Sequence, residues 1–407
     1  MELLHPVCCG LDVHQQTVVA CLRRAEAGAV TQEVRSFGTT MADLRKLAGW
    51  LQQAACPIAA MESTGVYWKP VYHLLAPTLE VLVANPRDVK PRKGDKTDPK
   101  DARWISELLA HGLIQPSFIP SPHLAALRDL TRLRVSLVNS RTAAKNRVHK
   151  LLEDSNLKFG SVLSDLFGTT GRHILDLLAA GERQPQVLVQ EARGRARKRM
   201  AELEAALEGC FTEHHAFLLK LHLTQIDLFN EQIQAVDREI QVLCEALQPE
   251  IEQLDSIPGI ETVAAQAILA EIGPDMSVFG SDKRLAKWAK LCPGNNESAG
   301  KRRSGATGKG SRYLARILVQ AAWAARKTDS FLGKTFRRLE YRLGGKKAAV
   351  AVAHKILRII YHLLVEGTFY DEQRYAQDYE RAEQKHLRRA MQLVTQAGYQ
   401  VVLPQTA

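Results

Sequence analysis

Apolar and polar residues alternate through the first stretches of the chain. VCCGLDV (7–13) and TVVACLRR (17–24) have the β-branched content of strands, and TQEVRSFG (31–38) reads as a shorter third. The period then changes: MADLRKLAGWLQQA (41–54) is helical, PIAAMES (57–63) a strand, YWKPVYHLLA (67–76) a short helix and LEVLVANP (79–86) another strand. A further helix is expected from Asp98 to His111, with Asp98 as N-cap, Pro99 at the first helical position and Asp101 near the positive end of the dipole. Three strands followed by alternating helix and strand predict a mixed sheet covered by helices.

Beyond this point the pattern is helical. A basic helix is expected from about Leu124 to Asp154, followed by the irregular SNLKFGSVLSDLFGTTGR (155–172). In the next helical region Ile226, Phe229, Ile233, Val236, Ile240, Leu243 and Leu247 recur at spacings of three and four. Such a seam is expected to join two or four copies as a coiled coil, or else to face a core within the chain. SIPGIETVAAQAILAEIG (256–273) has the form of a helix-hairpin-helix element, in which a glycine turn lets backbone amides approach a phosphate. A Gly/Ser-rich basic loop follows, then the helices YLARILVQAAWAAR (313–326) and KKAAVAVAHKILRIIYHLL (346–364). The expected division is an α/β domain at 1–155, a helical connector at 156–250, a C-terminal domain at 251–366 and a polar tail at 367–407.

Charge narrows the choice of partner. Lys+Arg exceed Asp+Glu by 55 to 44, a net charge of +11 that favours a polyanion. The excess is concentrated: Lys301–Arg326 holds seven basic residues and no acid, Arg128–Lys150 holds seven against Asp129, and Arg193, Arg195, Arg197, Lys198 and Arg199 form a third cluster. Three separate concentrations fit a long phosphate backbone better than one small anion. The seven cysteines include no C-x-x-C pair, which argues against a disulfide framework or a structural zinc site. No basic leader with a long apolar stretch opens the sequence and no uninterrupted apolar run approaches a membrane span, so a cytoplasmic protein without membrane association is expected.

Acids stand at unusual places in this frame. Asp12 falls inside the first apolar strand and Glu62 near the end of another, where ligands of open α/β sheets gather. Asp98 and Asp101 add two carboxylates one turn apart. Four converging acids repel one another unless a hard divalent cation such as Mg²⁺ is shared among them and a substrate phosphate. His14 can be a ligand, a phosphate contact or an ordinary turn residue, and Asp95 is a weaker candidate acid. A second constellation, CPGNNESAGKRRSGATGKGSRYLAR (292–316), combines Lys301, Arg302, Arg303, Lys309 and Arg312 with Ser298, Ser304 and Ser311. Its cations can neutralise phosphate, and any of its serines can serve as nucleophile, phosphate contact or cap. The glycine spacing does not match a P-loop.

The segments GLDVHQ, MESTGVYW, KTDPKDARW, IPGIETVAAQAILAEIG and NNESAGKRRSGATGKGSRYLARILVQAAWAA occur in this order over roughly residues 8–326. Through them the chain resembles the DEDD transposases of insertion-sequence family one-ten, including its eleven-eleven branch, described as bridge-RNA-guided DNA recombinases. The resemblance implies a multidomain α/β plus α protein: an RNase H-like (RuvC-like) N-terminal domain, a coiled-coil connector and a mainly helical C-terminal transposase domain. It implies that Asp12, Glu62, Asp98 and Asp101 are the catalytic tetrad that holds Mg²⁺, with Mn²⁺ as a substitute, and that Ser298 attacks DNA to form a covalent intermediate. It also implies donor and target DNA, a structured guide RNA and a tetramer with sites shared between protomers. Two other functions fit the same residues: a junction-resolving nuclease that uses metal-activated water, and a non-catalytic nucleic-acid-binding scaffold.

Overall fold

The computed structural model describes residues 3–26, 29–63, 65–86, 89, 97–294, 296–298, 301–304, 307–308, 310–396 and 398. The chain divides into two compact units, one ending at Ile119 and the other beginning at Pro120. The 1–155 span expected for the first domain crosses this division.

In the first unit, strands β1 (Val7–Val13), β2 (Thr17–Glu26), β3 (Ala29–Gly38), β4 (Ile58–Glu62) and β5 (Glu80–Ala84) form one sheet in the order β3-β2-β1-β4-β5. The first three pair antiparallel, while β4 runs parallel to both β1 and β5. Helices α1 (Met41–Gln53), α2 (Trp68–Leu75) and α3 (Asp98–Ala110) complete the expected βββαβαβα order. The third strand spans ten residues and pairs with β2 along its length, so it is longer than its polar pattern indicated. As an edge strand it needs few apolar positions, which shortened its signature in the sequence.

Strand alternation decides which helix covers which face. Cys9, Leu11, Val13, Ala59 and Met61 share a core with Leu44, Leu47 and Trp50 of α1 and Val71 and Leu75 of α2. Cys8, Ile58 and Ala60 instead pack with Ile105, Leu108 and Leu109 of α3. Asp12 and Glu62 belong by parity to this second, α3-covered face. Cysteines behave as small apolar residues here: burial pushes the Cys8 thiol up to about 12 and Cys56 up to about 11, which keeps both protonated.

Among its described residues the second unit is helical apart from one hairpin. Its long helix α4 (Pro122–Asp154) is followed by four short ones, α5 (Phe159–Val162), α6 (Thr169–Ala180), α7 (Pro185–Leu188) and α8 (Met200–Ala205), and then by α9 (Glu213–Cys244). The pairs His123–Leu243, Arg134–Asp237, Arg141–Asn230 and Asp154–His215 show that α4 and α9 run antiparallel. Ile226, Ile233, Val236 and Ile240 of the expected seam are buried within this chain. Of the two expectations for this stripe, these four residues meet the one within the chain, because α4 supplies a partner of matching length.

Helices α10 (Gln248–Asp255) and α11 (Thr262–Ile272) flank the Pro-Gly turn, so two helices joined by a short turn stand where the helix-hairpin-helix element was expected. Gly259 has φ +92°, and a Cβ there would lie 2.3 Å from the Ala321 carbonyl oxygen. Its bareness therefore serves close helix packing as well as the turn. Next come α12 (Asp282–Trp288), strands β6 (Asn296–Ser298) and β7 (Lys301–Ser304), α13 (Arg312–Ala325), α14 (Phe331–Leu343), α15 (Gly345–Glu366) and α16 (Glu372–Gln396). By length and composition α15 is apolar enough to cross a membrane, but half of its apolar window is buried inside the protein. The polar segment expected as a tail is docked at its start: Tyr375 stacks on both Tyr370 and Phe331, and the Tyr370 amide donates to Ser256 Oγ.

Candidate active site

The acidic site is built where β1, β4 and α3 meet. Leu11 pairs with Met61 in the parallel register, so Asp12 and Glu62 are the next residues on neighbouring strands. Helix α3 reaches them because Gly10 has no side chain: a Cβ would lie 2.2 Å from the Ala102 carbonyl oxygen and 2.4 Å from the Ser106 amide nitrogen. Ala102 follows Asp101 directly, so this close crossing sets the position of the acidic first turn. The helix begins at Asp98, but Thr97 rather than Asp98 is its N-cap, and the Thr97 carbonyl accepts from the Lys100 and Asp101 amides at 2.9 and 3.0 Å. With both acids inside the helix, neither side chain is needed to cap it.

Asp12, His14 and Asp98 each offer a ligand atom, and these atoms lie within 4.8 Å of one another. His14 Nε2 is 3.1 Å from Asp12 Oδ2 and 3.6 Å from Asp98 Oδ1. The Asp12 side chain is only 15% exposed. Burial lifts its carboxyl above the ordinary value; His14 pulls the other way by charge and hydrogen bonding, and Asp101 and Asp98 add to the rise. A carboxylate held among acids in this way is stabilised by a cation. His14, which the sequence left open, lies at the centre of the group. Its position two residues beyond Asp12 was the available signal. Asp95 lies outside the described residues.

The serine segment lies in the second unit. The expected loop contains a hairpin in which Ser298 ends β6 and pairs with Lys301 at the start of β7; Glu297 pairs with Arg302, and Asn296 with Ser304. Arg303 belongs to β7, while Lys309 lies outside the described residues. Arg312 opens α13 and packs over the ring of Tyr313. Ser311 is the N-cap of α13, accepting from the Leu314 amide, and its hydroxyl donates to Glu271 Oε2 at 2.9 Å.

Glu271 is the residue that reading by motif missed. Its side chain is 3% exposed and takes both forks of Arg132, at 2.7 and 2.9 Å, in addition to Ser311. The end of the Ser298 segment is thereby tied to α11 and α4. Glu271→Gln keeps the volume but breaks a charge pair that is buried on one side. The expected loss is about 2–4 kcal/mol, read as a lower urea midpoint at constant m. A loss below about 0.5 kcal/mol would show that the pair does not anchor the segment.

Comparison with known proteins adds the lineage. A DEDD transposase model matches residues 9–156, and a model described as the IS116/IS110/IS902 transposase family matches residues 251–336. The chain belongs to this transposase family. The first match runs past the sheet unit and through all of α4. Among relatives of the transposase, a probable family 20 transposase of Pseudomonas aeruginosa is 28% identical over 89% of this chain and 94% of its own length. The transposase for insertion sequence element IS1111A of Coxiella burnetii is 26% identical over 70% of this chain and 71% of its own. That for element IS1328 of Yersinia enterocolitica is 25% identical over 78% and 87%. Membership implies an enzyme that cleaves and recombines DNA, and the DEDD class together with the Asp12 cluster points to divalent metal use.

Proposed function

We propose that the transposase breaks and rejoins DNA strands by transesterification, with Ser298 as nucleophile and with Asp12, Glu62, Asp98 and Asp101 holding Mg²⁺ in an RNase H-like domain. The observation that carries the acidic half is the convergence of Asp12 with His14 and Asp98, with Asp101 close enough to perturb Asp12. The ligand set fits a hard cation, because all four acids offer oxygen. Mg²⁺, when bound, polarises a phosphate and stabilises a developing alkoxide. His14 orients Asp12 through the 3.1 Å contact. The Ser298 hydroxyl attacks phosphorus, forming an Oγ–P bond as the bond from phosphorus to one deoxyribose oxygen breaks. The serine loses its proton, the departing oxygen gains one, and the number of phosphoesters is unchanged. Rejoining therefore needs no external energy source. Lys301, Arg302, Arg303, Lys309 and Arg312 neutralise the phosphate backbone, and the family resemblance supports a structured guide RNA and a homodimer or homotetramer.

Incubation of the protein with Mg²⁺, element-junction DNA and the element's RNA, followed by denaturation, is expected to leave DNA covalently on the protein. Ser298→Ala is expected to abolish this adduct while DNA binding changes by less than about threefold. An undiminished adduct from Ser298→Ala overturns the serine assignment, and efficient cleavage without any adduct favours the water-using nuclease. Metal binding has a separate readout: millimolar Mg²⁺ should raise Tm, reflecting a stabilisation of RT ln(1 + [L]/Kd), about 1–2 kcal/mol at tenfold saturation. An equal Mg²⁺ response in an Asp12→Asn, Asp98→Asn protein would place the ion elsewhere.

A further inference from the structure

The cluster of arginines between Arg193 and Arg199 takes no part in either constellation. In the structure it forms one wall of a cavity of about 740 Å³ in the second unit, opposite α5 and the start of α6. Arg193, Arg195 and Arg199 line it together with the hydroxyls of Ser164 and Thr169. The wall is built rather than incidental. Arg199 donates to the Val162 carbonyl at 2.8 Å and pairs with Glu202, and the Arg193 amide donates to Thr170 Oγ1 at 3.0 Å. These bonds fix the arginine segment, a 3₁₀ turn over Gly194–Arg199, against α5 and the first turn of α6.

The charges that face the cavity are unbalanced. Asp165 is the one acid among the described lining residues, and its carboxylate is engaged by the Phe167 amide at 2.9 Å. Arg193 reaches only Glu191, at 3.8 Å, and Arg195 is exposed without a hydrogen bond or ion pair among the described residues. Gly168, the N-cap of α6, also lines the cavity and has no side chain with which to cap, so the first-turn amides of this twelve-residue helix gain no side-chain acceptor from it.

We propose that this cavity binds the phosphodiester backbone of a nucleic acid. Arginines, hydroxyls and helix amides are the donor set that phosphate requires. No aromatic ring lines the cavity among the described residues, so it offers no platform on which a base would stack. The site therefore positions a backbone without reading sequence. This inference is independent of the Ser298 reading, since it concerns binding at a separate set of residues.

The test compares Arg193→Ala, Arg195→Ala in the full chain with Lys334→Ala, Arg342→Ala, which removes the same charge from α14. Affinity for labelled duplex DNA and for a labelled RNA hairpin is measured by anisotropy at several salt concentrations. Loss of two phosphate contacts lowers the slope of log K against log salt by about 1.8 on duplex DNA. If the affinities converge near 1 M salt, that slope corresponds to about 60-fold weaker binding at 0.1 M. The control pair should change the slope by less than about 0.5. Reduced slope on DNA alone, on RNA alone or on both supports the site and names its occupant. No change on either, or an equal change in the control, overturns it. Arg195→Lys, which keeps the charge, should retain affinity within about threefold; Tm checks that each variant is folded.

Discussion

Asp12→Asn is expected to abolish DNA strand breakage, by about 10³-fold or more, while leaving the metal-free protein at least as heat-stable as the parent. The argument rests on the placement of this carboxylate. Its side chain is 15% exposed, it sits at the end of a buried strand, and burial together with Asp101 and Asp98 disfavours its charged form. Asparagine has nearly the same volume and can still meet His14 Nε2, so packing and the 3.1 Å contact have a substitute. What disappears is a charge that folding must hold near two others. Removing such a charge is neutral or stabilising by about 1 kcal/mol, a trade of stability against activity common at functional sites. Thermal denaturation in EDTA measures the first half and cleavage of junction DNA the second. A variant that loses several degrees of Tm and activity in proportion would make Asp12 a structural residue.

Gly10→Ala is expected to damage the same site from beneath. The added methyl would lie 2.2 Å from a carbonyl oxygen and 2.4 Å from an amide nitrogen of α3, and helical backbone cannot swing aside as a side chain would. Helix α3 must move away from β1, at a cost of about 1–3 kcal/mol for overpacking. The displacement acts on Asp98 and Asp101, which open that helix. A shift of about 1 Å in a catalytic group costs about 10² in rate, so cleavage should fall much further than the loss of folded protein explains. Mg²⁺-dependent stabilisation should weaken in parallel, whereas nucleic-acid binding by the second unit should persist. Full activity in Gly10→Ala would show that the crossing does not set the geometry of the acids.

Much of the first unit was legible because its signals are local. Strand alternation and helical period are read within a few residues, and they located the eight described elements up to Ala110 in order. The same pattern set Asp12 inside one strand and Glu62 near the end of another, and the Asp98-Pro99 start announced a helix. Legibility failed where a partner far along the chain decides. Ile226, Ile233, Val236 and Ile240 form the same three-four pattern whether they meet a second copy or α4, since the pattern specifies an apolar stripe and not its neighbour. The Gly/Ser-rich segment resembled a loop because the short strands NES and KRRS hold no β-branched or aromatic residue and so carry no strand signature.

By itself, the sequence determined the elements of the sheet unit, the order of its acids and the basic character of three separate segments, because propensity, periodicity and charge are properties of neighbouring residues. Only the tertiary structure decided that Gly10 admits α3 to the sheet, that Thr97 caps it, that His14 joins Asp12 and Asp98, and that Glu271 holds Arg132 and Ser311. Apart from the Thr97 cap, which is local, each of these depends on backbone or charge brought together across tens to more than a hundred positions, where steric fit and the cost of burying a charge select the partner.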